Sequence, residues 1–551
     1  MRRLVSVVLV LAGLLALPAS SSGATFNYGV AAGDVSSSSA LLWTRASRAG
    51  SYAVEVARDR GFRRMEATRR LSARATHDFT ITARVVGLRA GARHFYRFTE
   101  CETGTAGSTL ACKPAGRPSA VGTFVTAPST NANATIRFAF SGDADAQPMP
   151  PSRAPFWNRF QVYRRMQLEG NAFNVNLGDT IYSDSEVPGA QGLDAITVPQ
   201  KWGKYKMNLA QRNLSGLRSS AATYSQWDDH EFLNDFSRFE NVFSTGARSK
   251  GTARTHNVNG QVQYAAGKQA FLDYAPVSYS GRLGTYRTFR WGRNVQVFIL
   301  DERSFRSVES DYNGVCNDSS GNPDLGPTAP QSTRNVFAAL YPPLAQPPSQ
   351  QCLNSINDPR RTMLGRAQLA RFESDLRRST ATWKVVVNED PIQQFYVFPY
   401  DRWEGYEAER KSLINFIGSH AKNVVFLTTD SHANLVNTVK FSTLGENGPP
   451  VDSGIYDFVT GPVATENFNQ EINDTLNNPS GGSLVTSVVL KGGPPNGVAM
   501  KCAATAVFSY SEVVASRRTL TVTPKDINGR LVHEAPQDGG RPCGPFTLAA
   551  R

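Results

Sequence analysis

Four stretches of this chain end a run of strand-like residues in carboxylates. Asn174-Val175-Asn176-Leu177 leads to Gly178-Asp179, with Tyr182 three residues on. Ile136-Arg137-Phe138-Ala139-Phe140 leads to Ser141-Gly142-Asp143-Ala144-Asp145. Gln226-Trp227 opens the segment Asp228-Asp229-His230-Glu231-Phe232-Leu233-Asn234-Asp235, and Val424–Leu427 runs into Thr428-Thr429-Asp430-Ser431-His432. A glycine lets the backbone turn at a strand end, and that open end is where α/β sheets hold ligands. Asp-x-Asp spacing is a good half of a cation site. The density of ionisable groups between Asp228 and Asp235 is costly to desolvate unless they are paired or metal-bound.

Each stretch also has a plainer reading. Asp143 could cap a helix, the Trp227 segment could be a solvated turn, and His432 could be a satisfied core histidine. Four such pieces in order, each just past an expected strand, instead predict one shared site. Its donors are carboxylates, a phenol, an amide and imidazoles, which suit hard cations such as Ca²⁺, Mg²⁺, Mn²⁺ or Fe³⁺ rather than thiolate-bound zinc. Asp179 is expected to bridge two cations. Asp143, Tyr182 and His432 are expected on one side and Asp229 or Asn234 with Asp430 on the other, with Asp145 and Asp228 as further candidate ligands.

The elements that must position these residues read as α/β. Helix patterns at Trp157–Glu169, Thr362–Arg377 and Ala408–Ser419 lead to strands at Phe173–Leu177, Lys384–Val387 and Val424–Leu427. Alternating strands and crossover helices predict a central sheet covered on its faces. Residues 306–360, rich in Pro, Asn, Ser and Gly, read as a long insertion loop pinned by a disulfide. Upstream, Ala40–Thr44, Tyr52–Val56, Phe79–Ala83 and His94–Phe98 alternate as short strands. With a buried-looking Trp43 they suggest a fibronectin- or immunoglobulin-like β-sandwich over 26–127. A polar linker at 128–133 separates it from a second unit, 134–551.

The 551 residues are too many for one core. Residues 1–24 read as an export signal: Arg2-Arg3, then Leu4–Leu17, an apolar run too short to anchor in a bilayer, then Pro18 and small residues. A twin-arginine signal is the alternative. A secreted or periplasmic protein without a stable membrane anchor is therefore expected, and a monomer. Six cysteines fit an oxidising compartment, and none forms Cys-x-x-Cys. Sequential pairing (Cys101–Cys112, Cys316–Cys352, Cys502–Cys543) is favoured because each pair closes a loop of turn-forming residues. The formal charge is +13, and residues 26–127 hold fifteen basic against seven acidic residues. A basic excess confined to that segment argues against a dedicated nucleic-acid partner.

The chain resembles the calcineurin-like metallophosphoesterases, specifically the PhoD-like alkaline phosphatase D group. Gly178-Asp179-Thr180-Ile181-Tyr182, Trp227-Asp228-Asp229-His230-Glu231 with Asn234-Asp235, and Leu300-Asp301-Glu302-Arg303 carry the resemblance. Trp403-Glu404-Gly405-Tyr406-Glu407-Ala408-Glu409-Arg410, Asp430-Ser431-His432-Ala433 and the opening Phe26–Asp34 complete it. The resemblance implies a four-layer α/β/β/α metallophosphoesterase domain behind the β-sandwich, and a secreted phosphomonoesterase using Fe³⁺ with Ca²⁺. Mn²⁺, Mg²⁺ or Zn²⁺ are alternative metals, and phosphodiesterase or phospholipase D-like activity is the alternative reaction. In either case, hydroxide on a cation pair would attack a phosphate ester in line.

His230 is then expected as an acid or oxyanion-stabilising group, Asp229 as a catalytic partner, and Arg303 as a bidentate phosphate holder. The competing reading of Arg303 is an ion pair with Asp301 or Glu302. Two positions depart from the family pattern. Gly142-Asp143 stands where Ser-Cys is usual, and Thr429 where glycine is usual. The first makes the site harder and richer in oxygen. A non-catalytic binding protein on the same fold is the reading from a different class, and no Gly-x-Ser-x-Gly elbow supports a serine hydrolase.

Overall fold

The computed structural model describes residues 23–102, 112–190, 193–239, 241–243, 257–441 and 451–551. The export-signal reading falls on residues 1–22, outside that set, apart from its last two residues. Among the described residues, no helix is long and apolar enough to cross a membrane.

The fold is mixed α/β, with two large sheets. The first orders its strands Ala222–Gln226, Phe173–Leu177, Ile136–Ser141, Ser509–Ala515, Thr519–Asp526 and Phe546–Ala549. Its first three strands are parallel and its last three pair antiparallel. The second runs Arg287–Trp291, Val295–Ile299, Trp383–Val387, Val424–Thr428, Asp452–Val459, Asn434–Lys440 and Cys502–Ala504. Val295–Ile299, Trp383–Val387, Val424–Thr428 and Asp452–Val459 are mutually parallel.

Side-chain alternation explains how these sheets pack. Phe138 and Phe140, Val175 and Leu177, Val297 and Ile299, and Val385 and Val387 belong to one core shared by both sheets. The intervening residues face outward, as the period of two requires. Phe298, Val386 and Phe426 meet Phe372, Leu413 and Ile417 of the helices Arg366–Arg378 and Glu407–His420. Ala139 meets Val162, Tyr163 and Met166 of the helix Gln161–Leu168. Residues 306–360 are not one long loop. They contain the helices Gln331–Phe337 and Gln350–Ile356, and the predicted Cys316–Cys352 bridge closes within them. The other two predicted disulfides, Cys101–Cys112 and Cys502–Cys543, are also present.

The N-terminal segment forms a three-stranded and a four-stranded antiparallel sheet. Leu42 and Ile81 of one and Val54 and Phe98 of the other share a core. Trp43 is buried as expected, outside the core that the two N-terminal sheets share. It packs with Tyr274 of the helix Gly260–Tyr274 and donates its indole N–H to the Asp273 carbonyl at 2.7 Å. The tryptophan thus fastens the two parts of the chain to each other.

Candidate metal centre

Six parallel strands end at one edge of the paired sheets, and each is followed by acids. Asp143 follows Ile136–Ser141, Asp179 follows Phe173–Leu177, and Asp228 and Asp229 follow Ala222–Gln226. From the second sheet come Asp301 and Glu302, then Glu389 and Asp390, then Asp430. Asp143 (φ 64°), Asp179 (φ 47°), Asp430 (φ 63°) and His432 (φ 48°) all take the left-handed backbone conformation that side chains disfavour. Strain repeated at four candidate ligands marks a region whose surroundings enforce its geometry.

Ligand atoms of Asp143, Asp179 and His432 lie within 4.8 Å of one another. The same holds for Asp179, Asp229 and His230, and for Asp228, Asp229 and Asp430. Asp179 and Asp229 therefore link adjoining groups. Tyr182 joins the first, its hydroxyl 3.0 Å from His432 Nε2. Asp143 Oδ2, Asp228 Oδ2, Asp229 Oδ1 and Asp390 Oδ2 are buried and accept no hydrogen bond. A buried anionic oxygen without a partner costs several kcal/mol, which a bound cation would remove. These donors fit a hard-cation cluster.

The titration of these groups agrees. Burial pushes the Asp143 carboxyl up to about 8, reinforced by Asp229 and Glu231 and opposed by the Asp430 amide and His230. Burial, with neighbouring carboxylates, also lifts Asp179, Asp228, Asp390 and Asp430 well above their ordinary value. His432 is pushed down to about 3 by burial, leaving it neutral as a ligand should be. Burial also pulls on His230, but Asp229, Asp184 and Asp179 carry it well above its usual range. Its Nδ1 meets Asp184 Oδ1 at 2.7 Å, and its ring stacks on Tyr182 at 4.1 Å.

The loops that deliver the acids are clamped together. Glu231 accepts the backbone N–H groups of Asp179 (3.1 Å), Thr180 (2.7 Å) and Asp228 (2.7 Å). Gly178 has φ 106°, and a Cβ there would lie 2.4 Å from Asp228 Cβ, so the close approach of the two loops needs glycine. Gly142 and Thr429 approach each other closely. A Cβ on Gly142 would lie 2.8 Å from the Thr429 hydroxyl, which donates to the Leu177 carbonyl at 3.1 Å.

Two predicted residues sit differently from expectation. Asp145 is turned away from the cluster, accepting the Ser185 hydroxyl and the Gln147 backbone N–H. Arg303 is fully buried, and neither expected geometry is observed. Its guanidinium is committed to Asp228, to Asp401 at 2.6 Å and to Asp390 at 3.4 Å, leaving no open fork for a substrate, and Asp301 and Glu302 are not its ion-pair partners. Asn234 donates its backbone N–H to Asp184.

Several residues were not foreseen. Asp390 groups with Asp401 and Asp430, and Asp229 groups with Asp235 and Asp401. Asp390 follows a strand as the others do and was legible by the same rule. Asp401 follows no strand and offered no signal. Asp184 and Glu231 act on neighbours in space, which spacing does not reveal.

Residues 152–488 match the PhoD-like phosphatase family, and residues 13–128 match the N-terminal domain of PhoD-like phosphatases. The chain belongs to the PhoD-like phosphatase family. Alkaline phosphatase D of Bacillus subtilis (strain 168) is 25% identical over 442 residues, covering 74% of this chain and 64% of that protein's own length. A solved structure of PhoD superimposes with a TM-score of 0.65 at 20% identity, covering 96% of this chain and 90% of the other. The purple acid phosphatase of yellow lupin (Lupinus luteus) seeds gives 0.53 at 10% identity, covering 96% and 74%. At these identities the two structures speak for the fold, and this PhoD-like chain shares it.

Proposed function

We propose that this protein is an exported, metal-dependent phosphoric ester hydrolase of the alkaline phosphatase D type, acting on phosphomonoesters. The observation that carries the reading is the convergence of buried carboxylates from both sheets, with oxygens left unpartnered, in a chain of the PhoD-like family. In this reading residues 26–127 are a β-sandwich. Residues 134–551 are a four-layer catalytic domain, helices outside and the two sheets within.

Asp143, Asp179, Tyr182 and His432 would hold one cation, and Asp179, Asp228, Asp229, Asn234 and Asp430 a second. Fe³⁺ with Ca²⁺ is the pair we favour, because a phenol and carboxylates are hard donors. When bound, such a pair supplies Lewis-acid charge and an activated water. His230, held as imidazolium by Asp184, can protonate a leaving oxygen. Glu231 fixes the spacing of the Asp179 and Asp228 loops. Arg303 offsets the charge of Asp228, Asp390 and Asp401, so that the acids can be held together before any cation arrives.

The test is to strip the purified protein with chelator, reload it with single metals and metal pairs, and assay an aryl phosphate beside a bis-aryl phosphate and phosphatidylcholine. Metal-restored turnover that favours the monoester is the expected result. Faster cleavage of either diester would move the assignment to phosphodiesterase or phospholipase D chemistry. No turnover with any reload would leave a binding protein.

A further inference from the structure

The strand Phe173–Leu177 alternates in a way the metal centre does not use. Phe173, Val175 and Leu177 face the shared core, which turns Asn174 and Asn176 outward. Three of their four cross-strand partners are polar: Asn174 pairs with Thr223 and Ala139, and Asn176 with Ser225 and Ser141. A sheet face covered by helices is ordinarily apolar. Here the helices Val198–Leu209 and Arg212–Ser220 cover a polar patch, and a cavity of about 50 Å³ lies between.

The lining is largely apolar, with Met166, Leu209, Leu214 and Leu217 on the wall, but three hydrogen-bonding groups in it lack a partner. Asn174 Nδ2, Ser141 Oγ and Thr223 Oγ1 are buried and have no partner, and Asn174 and Ser141 are each only 1% exposed. The Asn174 carbonyl oxygen already accepts from Asn171 at 2.9 Å, which leaves its amide nitrogen to serve the cavity. The Tyr163 hydroxyl, also on the wall, accepts from Asn176 and keeps its own hydrogen to donate.

Arg218 supplies the charge. Arg218 lines the cavity, and its guanidinium lies 4.5 Å over the Trp43 ring and donates to the Tyr274 carbonyl at 2.7 Å. Among the described residues it has no carboxylate ion-pair partner, and the ionisable groups that act on it most strongly are tyrosines. Arg218 is part-buried, and desolvation lowers its pKa to about 10, so it stays cationic at neutral pH. Water could satisfy the donors but supplies no counter-charge to Arg218, whose contacts are a ring face and a carbonyl. A small anion would satisfy both.

We propose that the cavity is a binding site for a small inorganic anion of halide size, held by Arg218 with Asn174, Ser141 and Thr223 as hydrogen-bond donors. The site lies on the outer face of the first sheet, behind the strand that delivers Asp179, and its existence is independent of the reaction proposed above. The volume exceeds what a single water needs and suits one such ion.

Bromide is the probe. Crystals of the full-length protein grown in sodium bromide should show one ordered anomalous peak in the cavity, within contact of Arg218 and Asn174. In solution, sodium bromide should raise the melting temperature above that in sodium gluconate at equal ionic strength. Arg218→Gln should abolish that difference. Asn174→Leu, which keeps the charge and removes one donor, should weaken the bromide dependence by about tenfold. If Arg218→Gln does not fold, the anomalous map of the unmodified protein and the Asn174→Leu titration decide. A cavity without anomalous density, or a bromide effect unchanged in Asn174→Leu, would overturn the assignment.

Discussion

Two buried charge clusters in this molecule are built to opposite ends. In the segment after Cys316, Asp324 is gripped by Arg334 through two contacts, at 2.7 and 2.8 Å, and its oxygens also take the Gly326 N–H. Nothing is left over on that carboxylate. At the strand-end cluster, Asp143, Asp228, Asp229 and Asp390 each keep an oxygen with no hydrogen bond, although Arg303 lies among them. Burial alone therefore does not mark a functional acid. Unspent acceptors gathered from the ends of several strands separate a site from a strut.

Substitutions on the two sides should fail in different ways. Asp179→Ala should remove activity by several orders of magnitude while circular dichroism and the melting transition show a folded chain. Near-normal turnover would break the bridging role. Arg334→Met strands the Asp324 carboxylate and should cost about 3–5 kcal/mol of stability. Turnover per folded molecule should hold, as denaturant unfolding beside active-site titration would show.

Acidity sharpens the contrast. The Asp143 carboxyl sits at about 8 when no cation is bound, above the unfolded value of about 3.9. A raised acid favours the folded state below its unfolded pKa, and that contribution fades as pH climbs toward 8. Stripped protein should therefore melt lower at pH 8 than at pH 5. The rise in melting temperature on adding Ca²⁺ should grow over the same interval, because the cation displaces protons. A cation effect independent of pH would argue that these acids are not its ligands. The smallest effect is expected at Asp145. Asp145→Asn should retain most activity and the same metal content by elemental analysis, because this acid is spent on Ser185 and Gln147.

The sequence was most readable where period and position coincide. Asp143, Asp179 and Asp430 each follow an alternating or apolar run, and the strand at Phe173–Leu177 was located to the residue. Helix starts were less legible. The helix expected from Trp157 begins at Gln161 because Phe160 takes a left-handed conformation (φ 57°), and the one expected from Thr362 begins at Arg366, after Gly365 at φ 72°. The burial of Trp43 was legible, but its direction cannot be read from composition. The role of Arg303 was hidden for a related reason: Asp401 and Asp390 lie far from it in sequence, and only folding brings them within reach. The pairing of Ser509–Ala515 with Ile136–Ser141 left no trace in local pattern at all.

That last pairing governs when the protein can begin to work. The strand delivering Asp143 is flanked on one side by Phe173–Leu177 and on the other by a segment near the far terminus. Until the ribosome has made residue 515, the first sheet lacks a neighbour and the loop holding Asp143 has no fixed wall. Completion of the far end of the chain is thus a precondition for closing the wall around Asp143.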